Sequence, residues 1–216
     1  MAYVGADHEF HDADYVREWA RRFEISPERQ RLFADICEQI LPFVNKANAT
    51  IVELGAGPGF LAEYILNYFS HIQYIGVDFS QAMLDIAKER IERHLSRVQF
   101  VRLDLLQDSL EQLPVTPVQA VVSTWSLHDL GGSEAIRRVY DESQSILDGI
   151  LVNGDFIDPE IEGVSYEPGR ISVEQHLEML SELGYQKVRC HALYDHDLDT
   201  PTPANNYACL IAENIN

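Results

Sequence analysis

The chain predicts an α/β domain: seven strands, mostly parallel, helices on both faces, an antiparallel C-terminal hairpin and an N-terminal helical cap. Three observations carry this. Short, nearly unbroken apolar runs recur from Thr50 onward, as strands buried on both faces do. Amphipathic helical stretches separate them, the alternation of a parallel sheet. The last two apolar runs have no helix between them, so they are expected to pair with each other antiparallel.

The elements follow in order. Asp12 is placed to cap a helix carrying Tyr15, Val16, Trp19, Ala20 and Phe23. Ser26-Pro27 opens a second, with Leu32, Phe33, Ile36, Cys37, Ile40 and Leu41 on one face and Pro42 at its end. Residues 1–48 thus read as a cap or lid within the same domain as a core spanning 49–216. Strands are expected at Thr50–Leu54, 73–77, Val98–Arg102, 120–123 and 149–153. A helix over 61–69 follows the first. Ser80 caps another with Met83, Ile86, Ala87, Ile91 and Leu95 inward, and Ser133 caps a third with Ile136, Val139, Tyr140, Ile146 and Leu147 inward. Ser172 and Gln175 form a capping box for a helix with Leu177, Leu180 and Leu183, stopped by Gly184. The hairpin strands are expected at 188–193 and 207–212.

Composition narrows the function. At 216 residues, 46% hydrophobic and 24% charged, the chain is one folded domain, neither disordered nor low in complexity. No apolar run approaches the ~18 residues that span a bilayer. Residues 1–7 lack the basic region and apolar core of a secretory leader. Cys37, Cys190 and Cys209 are odd in number and far apart, which argues against a disulfide framework and fits a reducing, cytoplasmic setting. Acidic residues outnumber basic ones 35 to 16, for a net charge of −19. Such a surface repels phosphate backbones and anionic membranes, so neither is an expected partner.

The sharpest motif is Ile51-Val52-Glu53-Leu54-Gly55-Ala56-Gly57-Pro58-Gly59-Phe60. A core strand runs into three alternate glycines and then a helix, whose first N–H groups and partial positive charge form a ligand cradle. A dinucleotide site favours a third glycine where Phe60 stands. Next, Tyr74-Ile75-Gly76-Val77-Asp78-Phe79-Ser80 places a carboxylate about 20 residues on, able to accept from two ribose hydroxyls.

At Glu53, Gly55, Gly57, Gly59 and Asp78 the chain resembles the class I S-adenosylmethionine-dependent methyltransferases of small molecules, over residues 50–212. The resemblance implies a Rossmann-like core with S-adenosylmethionine as cofactor. It puts Ala56 in the cradle, Phe79 and Met83 beside the adenine, Asp104 on its amino group and Leu105 against it. It lays Thr124 and Trp125 beneath the methionine part. The stretch Leu127-His128-Asp129-Leu130 resembles the family's acceptor-side segment. His128 is then the candidate general base and substrate contact, with Asp129 orienting it. Phe10, His11, Tyr15 and Trp19 form the lid, Tyr15 touching the cofactor carboxylate or the acceptor. The segment 157–171, with Tyr166 and Arg170, offers a second acceptor loop. No metal is expected, because the fourth strand ends in Ser123 and Thr124 where metal-dependent relatives carry acids. Two alternatives stay open: a nicotinamide-dependent oxidoreductase and a non-catalytic S-adenosylmethionine-binding domain.

Overall fold

The computed structural model describes residues 8–23, 25–114 and 117–215. The leader reading of residues 1–7, and the cap at those positions and at Glu24, lie outside the described residues.

Helix α1 (Ala13–Arg22) opens on Asp12, whose Oδ1 accepts the Tyr15 N–H at 2.8 Å. Helix α2 (Pro27–Val44) opens on Ser26, with Pro27 where a missing N–H costs nothing, and it carries Pro42 in its last turn. The core follows as β1 (Thr50–Leu54), α3 (Phe60–Tyr68), β2 (Gln73–Asp78), α4 (Gln81–Arg90), β3 (Val98–Arg102), β4 (Val118–Thr124), α5 (Ser133–Ile146) and β5 (Leu147–Phe156). It closes with α6 (Val173–Glu182), β6 (Gln186–Tyr194) and β7 (Tyr207–Asn214).

The strands form one sheet in the order β3-β2-β1-β4-β5-β7-β6. The first five are parallel, while β7 runs antiparallel to both β5 and β6. The fold class is the one expected. All of β1 is buried, because helices cover both faces. On one face α2 and α3 bury Leu32, Phe33, Ile36, Leu61 and Ile65 with Ile51 and Val152. On the other, α5 and α6 bury Ile136, Val139, Tyr140 and Leu180 with Val52 and Leu151. Successive strand residues point to opposite faces, which sends Ile51 and Val52 to different core layers. The chain returns from β3 past β1 to β4, so a switch point opens at the carboxyl ends of β1 and β4.

Four local expectations fail, the first at Leu41, which is 40% exposed while Ile40 and Val44 carry the buried face of α2. Ser133 is the first residue of α5, and Gly132 precedes it with no side-chain cap, because the Gly131-Gly132 turn leads straight into the helix. Leu147 begins β5 instead of ending a helix. Leu95 is 43% exposed, because α4 stops at Arg90 and a 3₁₀ stretch, Glu92–Arg97, breaks the helical period. Among the described residues no helix is long and apolar enough to cross a membrane.

Candidate active site

The glycine turn leaves β1 with positive φ at Gly55 (67°), Gly57 (52°) and Gly59 (82°). At Gly55 a Cβ would lie 1.9 Å from Ser126 Oγ, so the turn requires glycine for space as well as for φ. Gly59 is the N-cap of α3 and abuts Ala87 of α4. Gly57 has open space on its Cβ side, and its N–H donates to Asp78 Oδ2 at 2.8 Å. Ser80 N–H donates to the other oxygen at 2.8 Å. Two backbone bonds thus fix a buried carboxylate that keeps lone pairs for a ligand. Burial pushes Asp78 up to about 6, against the pull of those bonds and of His11.

A cavity of about 420 Å³ opens over this turn. It gathers Glu53, Gly55, Ala56, Gly57, Asp78, Phe79, Met83, Asp104, Leu105, Thr124, Trp125 and His128. Phe10 and Trp19 of the N-terminal segment also line it, and the His11 ring meets Phe79 edge-on at 5.0 Å. Gly59, Tyr15 and Tyr166 are not among its lining residues. Tyr15 is 37% exposed and donates to Glu9 Oε1 at 2.5 Å. Tyr166 lies against the Arg170 guanidinium at 4.3 Å. Arg170 in turn donates to the carbonyls of Ile157, Pro203, Asn205 and Asn206, tying 157–171 to the hairpin loop whose Pro203 and Ala204 wall the cavity.

Glu53 is buried and accepts from Tyr74 Oη at 2.5 Å. Burial pushes it up to about 8, against the pull of the Tyr74 hydrogen bond. Asp104 accepts from Leu106 N–H at 2.9 Å and from Gln107 Nε2 at 3.1 Å, which shapes its loop beside the cavity. These features fit S-adenosylmethionine: an open glycine cradle, a fixed carboxylate in reach of ribose hydroxyls, and apolar walls at Phe79, Met83, Leu103 and Leu105.

At the other end, His128 sits in the 3₁₀ turn Leu127–Leu130 after β4. Its Nδ1 donates to Asp155 Oδ1 at 2.7 Å, and its backbone N–H donates to Asp155 Oδ2 at 3.0 Å. With Nδ1 committed, Nε2 is the nitrogen left for a ligand, 3.4 Å from Asp129 Oδ1. Desolvation opposes charge on His128, but the Asp155 charge and hydrogen bond, with Asp129 and Glu167, outweigh it and raise the ring to about 9. Sequence reasoning missed Asp155. The available signal was an acid just past the β5 residue Gly154, which pairs with Thr124. It also missed Arg29, Phe23, Phe33, Phe60 and Phe156 as lining residues of the cavity.

Known proteins agree with this geometry. Residues 51–148 match the family model described as a methyltransferase domain. A malonyl-[acyl-carrier protein] O-methyltransferase of Paenibacillus sp. (strain JDR-2) is 24% identical over 196 residues, covering 82% of this chain and 71% of that protein. The enzyme of the same name from Acetivibrio thermocellus is 23% identical over 137 residues, covering 63% of this chain and only 46% of its own. Among solved structures, the CurJ carbon methyltransferase superposes with a TM-score of 0.74 at 17% identity, over 94% of this chain and 59% of that one. The magnesium protoporphyrin IX methyltransferase from Synechocystis PCC 6803, solved with bound S-adenosylmethionine, gives 0.67 at 15% identity, over 97% and 99%. Residues 51–148 thus match a methyltransferase domain, and the fold of the chain is the class I, Rossmann-like one of the solved methyltransferases.

Proposed function

We propose that the protein transfers a methyl group from S-adenosylmethionine to a small-molecule acceptor, in the cytoplasm, within a core of residues 49–216 under a cap of residues 1–48. The observation that carries this is one cavity holding the glycine cradle, Asp78 and the His128–Asp155 pair. The cofactor supplies an electrophilic methyl on a positively charged sulfur. Asp78 takes the ribose hydroxyls, and Phe79, Met83 and Leu105 wall the adenine, whose amino group Asp104 reaches. Glu53, Gly55, Ala56 and Gly57 form the cradle for the methionine part, Gly59 closes its turn from outside the lining as the N-cap of α3, and Thr124 and Trp125 lie beneath it. Phe10 and Trp19 lie over the cavity and exclude water from a charge-consuming displacement. Tyr15 and Tyr166 complete the lid and the acceptor loop from outside the lining.

His128 acts as the base for an acceptor that must lose a proton. In the free chain it takes up that proton only after losing its own, so the rate rises with pH toward about 9. Such a base contributes ~10²–10⁴-fold. The cytoplasmic setting is supported by Cys37, Cys190 and Cys209, all free thiols. A nicotinamide enzyme is not favoured, since the matched family and relatives are methyltransferases. The names of those relatives likewise favour an enzyme over a binding domain. The test is formation of S-adenosylhomocysteine from the full chain with fractionated small-molecule extracts. Acceptor-dependent product that His128→Ala reduces supports the reading; label that goes only into protein or nucleic acid overturns it.

A further inference from the structure

Among the described residues, the carboxylates that line the cavity are Glu53, Asp78, Asp104 and Asp129. Glu53 accepts from Tyr74 Oη, Asp78 from the Gly57 and Ser80 N–H groups, and Asp104 from Leu106 N–H and Gln107 Nε2. Each of these is held by donors fixed in the chain. Asp129 differs. Among the described residues its contact with a donor is His128 Nε2, 3.4 Å from Oδ1, and its side chain is 46% exposed. An ionised carboxylate offers about four lone-pair sites, so most of its accepting capacity stays available in the cavity.

Position along the sheet separates this carboxylate from the nucleoside half. Asp78 and Asp104 follow β2 and β3, on one side of β1, while Asp129 lies in the Leu127–Leu130 turn after β4, on the other. Asp155 and Glu167 add their negative charge around the His128 imidazole, and His8 of the N-terminal segment also faces Asp129. Burial, with Asp155 and Glu167, raises the Asp129 carboxyl from its ordinary value, while His128 and His8 pull it down. The three carboxylates outweigh the two imidazoles in either protonation state of each ring, so this end stays negative. Leu130 and Phe156 add apolar surface, the Phe156 ring meeting His128 edge-on at 5.1 Å. With a net charge of −19, the protein draws organic cations and repels organic anions at long range. A partly desolvated carboxylate beside apolar walls then captures an ammonium carried on a hydrocarbon body.

We propose that Asp129 is a specificity-determining residue that binds an ammonium group of the methyl acceptor, which makes the acceptor an organic amine. This rests on the methyltransferase reading of the same cavity. An ammonium seated on Asp129 lies beside Nε2 of His128, the base for an acceptor that must lose a proton.

The test titrates the full chain, saturated with S-adenosylhomocysteine, at neutral pH with matched amine and alcohol probes: phenethylamine against phenethyl alcohol, and octylamine against octanol. Wild type is expected to favour the amine by about tenfold or more, the scale of a hydrogen bond to a charged group. Asp129→Asn erases the preference while S-adenosylhomocysteine affinity holds. Glu178→Gln, which removes an equal charge from an exposed position on α6 outside the cavity lining, leaves the preference as it was. Thermal melts of the variants register folding, and Asp129→Ser carries the same expectation should the asparagine variant not fold. Equal binding of amine and alcohol by wild type, or a preference that survives in Asp129→Asn, overturns the proposal. A preference that falls as far in Glu178→Gln also overturns it, since the field of the whole chain then draws the cation. So does a loss of S-adenosylhomocysteine affinity in Asp129→Asn with methylthioadenosine, which lacks the amino-acid tail, bound as before; Asp129 then serves the cofactor's own ammonium. A wild-type chain that does not bind S-adenosylhomocysteine instead overturns the methyltransferase reading, and this proposal with it.

Discussion

At the scale of single residues, the site is set by contacts that fix charge. Asp155 holds His128 by ring and backbone at once. Asp155→Asn removes the charge that raises the imidazole, so its titration, followed by NMR, is expected to move down from about 9; an unmoved titration contradicts the pairing. The sign for stability follows from the same shift. A folded-state value raised above 6.5 means that the pair's contribution is complete below that pH and is lost as pH rises through about 9. Urea unfolding of wild type should therefore lose stability over that window, and Asp155→Asn should lose less. Gly55→Ala forces a Cβ onto Ser126 Oγ at positive φ, a strain of ~1–3 kcal/mol, read as a lower urea midpoint and weaker cofactor binding. What could be read from the sequence here is what is local: the glycine turn and Asp78 are joined by a short run and one N–H bond. His128 and Asp155 are 27 positions apart and meet only through the β4–β5 register, so the acid was invisible as a partner.

At the scale of elements, caps decide where helices begin. Ser80 accepts the Met83 N–H at 3.1 Å to cap α4, and its hydroxyl also donates to the Phe10 carbonyl. One residue thus starts a core helix and fastens the N-terminal segment over the cavity. Ser80→Ala is expected to cost ~1–2 kcal/mol in urea unfolding, at the upper end for an N-cap because two bonds are lost. The exposed Arg17–Glu89 pair ties the same segment to α4 at 2.8 Å, yet Arg17→Ala is expected to cost less than ~1 kcal/mol, as surface pairs do. Equal costs for the two variants would contradict this ranking. The caps at Asp12, Ser26 and Ser172 were legible because each side chain serves an N–H three residues on. Ser133 has the right residue type, but two preceding glycines do the turning.

At the scale of the molecule, the two core layers share the sheet, and α2 belongs to the larger one although it lies in the N-terminal part. Leu32 is fully buried there and contacts the β5 backbone where Gly154 leaves room. Leu32→Ala is expected to destabilise the whole domain by ~2–5 kcal/mol, measured by urea unfolding. The class of fold was readable because strands buried on both faces leave apolar runs and the hairpin lacks a crossover helix. The strand order was not, since β1 beside β4 is a long-range pairing that no local pattern encodes.

The central claim is that the cradle at the β1 switch point, completed by Asp78, holds an adenosyl sulfonium cofactor. Its most direct test is calorimetric titration of the full chain and of Asp78→Ala with S-adenosylhomocysteine, with NADH as the competing ligand. Loss of hydrogen bonds to a charged group is worth ~1.5–3 kcal/mol, so Asp78→Ala should bind about tenfold or more weakly, while NADH gives no heat. Saturable NADH binding, or S-adenosylhomocysteine held equally well by both chains, would contradict it.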